Sequence, residues 1–478
     1  MLLFQSFYSR IANLFLCFTK NLRNKERYTI VFLCFFLISA YFVFYFIKAT
    51  YSFLYEDLTR NHLIGCVLLF IATVSCVRRE ARTVEWNKVL FCLMTICGLS
   101  MLVISVIHPV GSGYRAFSLM LLLGYPFIYY VLNNNGSYSG LFTCVSAAFS
   151  LAGILYFLYC IYLAFQGSFN STGGRVYANM YNANLISMTG MSMCISAAYL
   201  LFEKKTRKKW NCFSIVSLGI GNSLVLLGGS RLSILVNIGI VFCAAVFIVK
   251  RKGERNENSL KKMLIKAGIV LISCGLFVLF GATLVDINTR AAQPEEPVVI
   301  STQNTGEAVS EVKDTNLERF SSQGKDINSF TSGRVVIWRG YSSKLNLIGN
   351  DFSKSNWTEL TNNTVNHAHN NFLEFGYRFG IPVALIHLLL ELYAGIYALK
   401  LLFSKKYTEP MHFYIVICVM TFAIESMFDI ATLPFERHAP FFFYIAIAPL
   451  FTEPYLIRPL NNRKGTIGES SDEKRLSV

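Results

Sequence analysis

Charge is scarce in this chain of 478 residues. Asp, Glu, Lys and Arg together make 15% of it, against roughly 25% in a soluble globular domain, and acidic residues are the scarcer sign, 28 against 44 basic ones. With 54% hydrophobic residues the chain is built for lipid rather than water. The 13 cysteines avoid the one long polar stretch, since none falls between Asp286 and Gly380; they lie in or beside apolar segments and read as packing residues, which excludes a disulfide scaffold. The apolar stretch Met1 to Phe18 ends in a basic run and lacks a small-residue cleavage site. An interfacial helix is expected there instead of a signal peptide. His367 and His369 have no cysteines or paired carboxylates to complete a ligand set, so neither metal nor cofactor is expected.

What is present comes in apolar blocks of about 16 to 24 residues, the length that crosses a bilayer as a helix. A backbone in hydrocarbon must satisfy its own polar groups, so the blocks are helices. The expected fold is an all-α polytopic membrane protein with about twelve transmembrane helices and one large extracytoplasmic loop. Spans are expected near Tyr28–Ile47, His62–Val77, Val89–Ile107, Ala116–Leu132, Leu141–Phe165, Asn184–Phe202, Cys212–Leu227, Leu232–Val249, Met263–Val285, Ile381–Phe403, Met411–Phe428 and Pro440–Pro454. The chain divides into an N-terminal segment 1–27, helices one to nine over 28–285, the polar loop 286–380, helices ten to twelve over 381–456, and a tail 457–478.

Lysines and arginines resist translocation, so their clusters give the orientation. They precede the first span (Arg10, Lys20, Arg23, Lys25, Arg27), follow the second (Arg78, Arg79, Arg82), the sixth (Lys204 to Lys209), the eighth (Lys250 to Arg255) and the tenth (Lys405, Lys406), and recur in the tail. Twelve spans put all of them, and both termini, on the cytoplasmic side of a cell membrane. The cytoplasmic loop from Asn133 to Gly140 is the one without charge. Positive-inside sorting and anionic lipid account for the net charge of +16, so nucleic acid is not an expected partner.

The polar segment Asp286 to Gly380 is the functional candidate. Its first half, Arg290 to Asp326, has too few apolar residues to fold alone, and a flexible excursion is expected. Its second half carries apolar residues at helical spacing after Ser332-Gly333-Arg334 and again after His367-Ala368-His369-Asn370-Asn371, so two short surface helices are expected. Glu374 and Arg378, spaced i, i+4, are expected to pair. Trp338, Tyr341 and Trp357 are read as interfacial anchors or sugar-stacking rings.

Few basic residues fall on the outer side, and an arginine there needs a reason. Arg60 and Arg115 are read as side chains reaching lipid headgroups. Arg231 sits in Leu227-Gly228-Gly229-Ser230-Arg231-Leu232-Ser233, a break between two apolar helices where glycines let another group approach the backbone, and its guanidinium fork suits bidentate contact with phosphate.

The ordered set of Gly-Ser-Arg between two spans, Ser332-Gly333-Arg334 with an aromatic four residues on, His-Ala-His-Asn-Asn-Phe-Leu-Glu, and Phe428-Asp429 near the end of a later span resembles the O-antigen ligase and polymerase superfamily. Gly174-Arg175 followed by Tyr181-Asn182-Ala183-Asn184 is similar to a further Arg and Asn pattern of that family. The motif-bearing resemblance covers about Gly228 to Arg437. It implies a C-type membrane glycosyltransferase that takes a glycan from a polyprenyl diphosphate to an acceptor glycan or glycolipid, without nucleotide or metal, alongside polysaccharide-assembly proteins. By the match, Arg231 and Arg334 hold the diphosphate and His369 activates the acceptor hydroxyl. Arg175, Arg339, His367, Asn370 and Asp429 are supporting candidates. The loop is longer and more polar than in compact ligases, which leaves ligase and polymerase open.

The chemistry asks for the same groups. An activated polyprenyl diphosphate needs developing charge neutralised, the sugar positioned, and a proton taken from the attacking hydroxyl. Two arginines and a histidine can do this, since imidazole accepts and releases protons near physiological pH. The rival reading is a polytopic polysaccharide flippase or transporter, which would place ionisable groups at mid-membrane and repeat its halves. A non-catalytic membrane scaffold is the third.

Overall fold

The computed structural model describes residues 2–45, 47, 58–80, 85–108, 110–136, 138–169, 171–172, 175–180, 182–203, 208–252, 257–291, 333–351, 367–429 and 431–452. These are nearly all helical. In chain order the helices are α1 (Leu2–Thr19), α2 (Asn24–Tyr45), α3 (Leu58–Ser75), α4 (Lys88–Ile107), α5 (Ser112–Leu119), α6 (Tyr125–Asn135), α7 (Tyr138–Phe165), α8 (Ala183–Phe202), α9 (Lys208–Gly228) and α10 (Arg231–Lys252). They continue with α11 (Glu257–Ala291), α12 (Arg334–Ser342), α13 (Asn371–Phe379), α14 (Ile381–Phe403), α15 (Pro410–Phe428) and α16 (His438–Ala446). A short, wider turn at Met120–Gly124 joins α5 to α6, so that Ser112–Asn135 forms one apolar unit.

Among the described residues ten helical units are long and apolar enough to cross a membrane. The expected second and twelfth spans are shorter. Within α3 His62 lies beside Glu436, and the carbonyl of its last residue, Ser75, accepts from Arg27. The last segment begins at His438 and ends with Thr452 paired to Trp86. One boundary differs from expectation. The ninth span is part of a helix that continues to Ala291, closed by an Arg290 to Asp286 pair at 3.0 Å, so the polar segment begins about six residues later than Asp286. Most of that segment's first half, together with Lys48, Ser332, Trp357 and the tail 457–478, lies outside the described residues, as does the side chain of Arg60.

The bundle is organised around α8, almost wholly enclosed. Apolar side chains gain little by leaving lipid for protein, so close backbone packing must hold membrane helices together. α8 and α9 approach where Gly190 faces Gly221: a Cβ on Gly190 would stand 2.4 Å from the Gly221 carbonyl oxygen. α1 lies against α3 and α6, burying Tyr8 and Ala12 and leaving Leu3, Phe7, Leu14 and Phe18 exposed.

Basic groups collect at one end. Arg27 is buried and donates to the carbonyls of Leu22, Ser75, Val77 and Thr19, closing the C-termini of α1 and α3. The uncharged turn after α6 has its basic residues supplied by a neighbour. The Arg78 N–H donates to Asn135 Oδ1 at 2.8 Å, and Arg79 donates to the Asn134 carbonyl. Lys250 donates to the carbonyls of Leu401 and Tyr407. The two halves of the described polar segment sit at the other end.

Candidate functional site

The break between α9 and α10 is held open by its neighbours. Gly229 has φ of +57° and turns the chain, while a Cβ on Gly228 would stand 2.5 Å from the Ala183 carbonyl oxygen at the start of α8. Ser187 Oγ accepts from the Ser230 N–H and donates to the Val225 carbonyl, stitching both sides of the break. Arg231 is then the first residue of α10. Arg175 arrives from a two-stranded hairpin, Ser171–Thr172 with Arg175–Val176. Its Nε donates to the Gly228 carbonyl at 2.8 Å and its Nη2 to Asn184 Oδ1. Burial pushes the Arg175 guanidinium below its ordinary pKa; Tyr177 opposes this, and the charge of Arg231 adds to it.

Arg334 opens α12 directly after Gly333, which has φ of +80°. Its charge acts on Arg231. Arg175, Arg231 and Arg334 come from three separate segments, and the charge of Arg231 bears on Arg175 as that of Arg334 bears on Arg231. Two of them stand at helix N-termini, where the backbone dipole already favours an anion and a cation is unfavourable by about 0.3–1 kcal/mol. An anion resting there would relieve both the repulsion and the opposed dipoles.

α12 packs on α13, with Tyr341 against Tyr377 at 5.1 Å and Ala368 in the same apolar cluster. This places the turn 367–370 beside the helix that Arg334 begins. His367 and His369 precede α13 rather than lie on it, because Asn370 caps the helix by accepting from the Leu373 N–H. His369 holds φ of +50°, a left-handed conformation uncommon for a side-chain-bearing residue. Its Nδ1 lies 3.1 Å from Asp429 Oδ1, with the imidazole about one-third exposed and the carboxylate nearly buried. Asp429 ends α15, a helix C-terminus where a carboxylate opposes the dipole unless a partner offsets it. Asn370 Nδ2 donates to the Met427 carbonyl and Asn371 exchanges two hydrogen bonds with the main chain of Ala431, so the histidine turn is clamped to the segment around Asp429.

The two halves meet through α8. Arg437, which follows the Asp429 segment, sets Nη1 3.3 Å from Met188 Sδ, one helical turn from the Asn184 that receives Arg175. Beneath the histidines lies a buried node. Glu374 is fully enclosed; its Oε2 accepts from the Ala368 N–H at 2.8 Å and its Oε1 from Arg378 Nε at 2.5 Å, with His367 Nδ1 3.5 Å away and Tyr114 OH at 3.4 Å. Burial alone would raise this carboxyl, but Arg378, His367 and the Ala368 N–H outweigh it and hold it below the usual range. Arg378 also stacks over the Tyr114 ring at 4.6 Å.

The structure thus ties Arg175 to the break that precedes Arg231, and separately joins His369, Asn370 and Asp429. Arg339 is exposed in the last turn of α12. His367 is half-exposed beside Glu374. Tyr341 is a buried ring in the apolar cluster between α12 and α13, which overturns its reading as an interfacial anchor. Arg115 is exposed. Sequence reasoning missed Asn371 and Tyr114. The doubled asparagine ahead of Phe372 was a signal for the first; nothing near Tyr114 in sequence signals its contact with Glu374. Neither a protein-family model nor a curated protein matches the chain.

Proposed function

We propose that the chain is a membrane glycosyltransferase of the O-antigen ligase and polymerase type, moving a glycan from a polyprenyl diphosphate to a glycan or glycolipid acceptor on the extracytoplasmic side of a cell membrane. The observation that carries this is a histidine held 3.1 Å from a carboxylate in a turn packed beside the helix that Arg334 opens, together with Arg175 bracing the break from which Arg231 starts α10. Positive-inside sorting of the opposite end supports an extracytoplasmic site and a twelve-pass chain with α3 and α16 as its short crossings.

In this reading Arg231 and Arg334 grip the diphosphate, and Arg175 braces the break that presents Arg231. Asp429 occupies His369 Nδ1 and leaves Nε2 to the acceptor hydroxyl, fixing the tautomer as well as the ring. As the hydroxyl oxygen bonds to the anomeric carbon, its proton passes to Nε2. The bond from that carbon to the phosphate oxygen breaks, and the arginines hold the charge that the departing polyprenyl diphosphate acquires. Attack opposite the leaving group inverts the anomeric centre.

The test uses protein in nanodiscs with a polyprenyl-diphosphate oligosaccharide and a glycan acceptor, following product on a gel beside donor binding. His369→Ala should lower turnover by about 10²–10⁴-fold while donor binding persists. Transfer at the wild-type rate refutes the base assignment. A wild-type protein that binds no polyprenyl diphosphate refutes the function itself.

A further inference from the structure

We infer that Glu374 is a positioning residue for His369, fixing the imidazole through the Ala368 main chain; this rests on the glycosyltransferase reading. The strained backbone of His369, with φ of +50°, persists only if its neighbours over-determine it. On its C-terminal side the capping Asn370 and the clamping Asn371 supply that constraint. On its N-terminal side the hydrogen bond to Glu374 comes from the residue immediately before it, through the Ala368 N–H. Ala368 is fully buried among Tyr341 and Tyr377, where its N–H cannot turn to water. A carboxylate accepting there makes a shorter, stronger bond than a neutral acceptor would.

The carboxylate is itself fixed. Arg378 donates to the other oxygen and lies over Tyr114, a residue of the α5 membrane helix. The histidine turn is therefore referenced to the membrane bundle through Glu374, and to α15 through the asparagines and Asp429. Displacing a reacting group by about 1 Å costs on the order of 10²-fold in rate.

A double-mutant cycle with His369→Ala separates positioning from general structural support, because a residue acting only through His369 loses its effect once the imidazole is gone. Using the same nanodisc protein, donor and acceptor, Glu374→Ala should lower kcat about 10²-fold with KM for the donor within about twofold, as expected of a misplaced reacting group. In the His369→Ala background the same change should cost less than about threefold, as the cycle requires. Glu374→Gln keeps an oxygen for the Ala368 N–H and should recover about tenfold of the loss. Arg378→Met leaves Glu374 its main-chain partner; it should lower the thermal midpoint more than Glu374→Gln does, yet reduce kcat less than Glu374→Ala.

Equal losses in both backgrounds, or kcat falling in step with thermal midpoint across the three variants, overturn the inference. If Glu374→Ala does not fold, Glu374→Gln runs the same cycle, and hydrogen exchange of the Ala368 amide supplies a second readout. That amide should be protected in the wild type and faster in Glu374→Gln, and an amide that exchanges freely in the wild type overturns the inference. Wild type and His369→Ala turning over equally would instead fail the parent reading, leaving the amide protection to report on Glu374 alone.

Discussion

Replacing Asp429 by Asn removes one charge and almost no volume, so it isolates what the carboxylate does for His369. At 3.1 Å, opposite unit charges attract by about 5 kcal/mol at an effective dielectric near 20 and by about 3 kcal/mol at twice that. The imidazole is about one-third exposed, which favours the lower figure. The attraction exists only while His369 carries the abstracted proton, so its loss falls on the transition state rather than on the resting protein. At about 1.4 kcal/mol per decade, about 3 kcal/mol is roughly 10²-fold in kcat. An asparagine amide can also donate to Nδ1 and invert the tautomer, which pushes the loss further in the same direction. The assay is single-turnover glycan transfer in nanodiscs at saturating donor, with donor binding measured in parallel. Turnover within threefold of wild type would refute the role given to Asp429, and weakened donor binding with unchanged saturated turnover would move it to the binding machinery.

Arg231→Lys and Arg334→Lys keep the charge and lose the fork; each should lower transfer at least tenfold at normal membrane levels, with Arg115→Lys near wild type, and full activity in both of the first two would remove the phosphate assignment. For orientation, a membrane-impermeant maleimide applied to intact cells should label Ser342→Cys and spare Lys405→Cys, both exposed positions, after the exposed Cys17, Cys92 and Cys212 are replaced; the reverse pattern would put the site in the cytoplasm. Because Glu374 is held below the ordinary carboxylate range, its contribution to stability is complete above about pH 4.3, the unfolded value, and is lost as pH falls from there through the folded value. The gap in thermal midpoint between wild type and Glu374→Gln should therefore be full above pH 5 and narrow progressively only as pH falls below about 4; a gap already closed at pH 6 would contradict the pairing. Glu391→Gln should reduce thermal stability while leaving glycan transfer within about fivefold.

Hydropathy made most of the bundle legible because a membrane helix is a local property: twenty apolar residues cross wherever they occur. It failed where packing extends or shortens a helix. α11 continues to Ala291 through residues that are polar enough to read as loop, and α16 stops at Ala446, giving way to a tighter turn at Ala448–Phe451 that holds Pro449. The arginines could be named from motifs, but their meeting could not. Arg175 reaches Gly228 across 53 positions, and the charge of Arg334 bears on Arg231 from beyond α10 and α11. The local pair Glu374 and Arg378 was readable from i, i+4 spacing; that the same carboxylate also holds Ala368 follows only from the turn ahead of the helix folding back under it.

The transporter reading draws its best support from ionisable groups inside the bundle, and their geometry argues for glue rather than passage. His387 and Glu391 pair at 3.0 Å on α14, Glu391 accepts from Ser426 on α15, and His387 Nε2 lies 3.1 Å from Tyr444 OH on α16. His387 is almost fully buried with its ring 4.2 Å from Phe375. Each of these groups spends its polar capacity on the next helix, as residues that fasten membrane helices do. A group serving a solute must instead keep a face open to it. Among the described residues His369, about one-third exposed, and the half-buried Arg231 and Arg334 keep such a face. The His387 and Glu391 pair therefore argues for fastening rather than passage, while partly open groups such as His369 suit the proposed chemistry on a lipid-borne substrate.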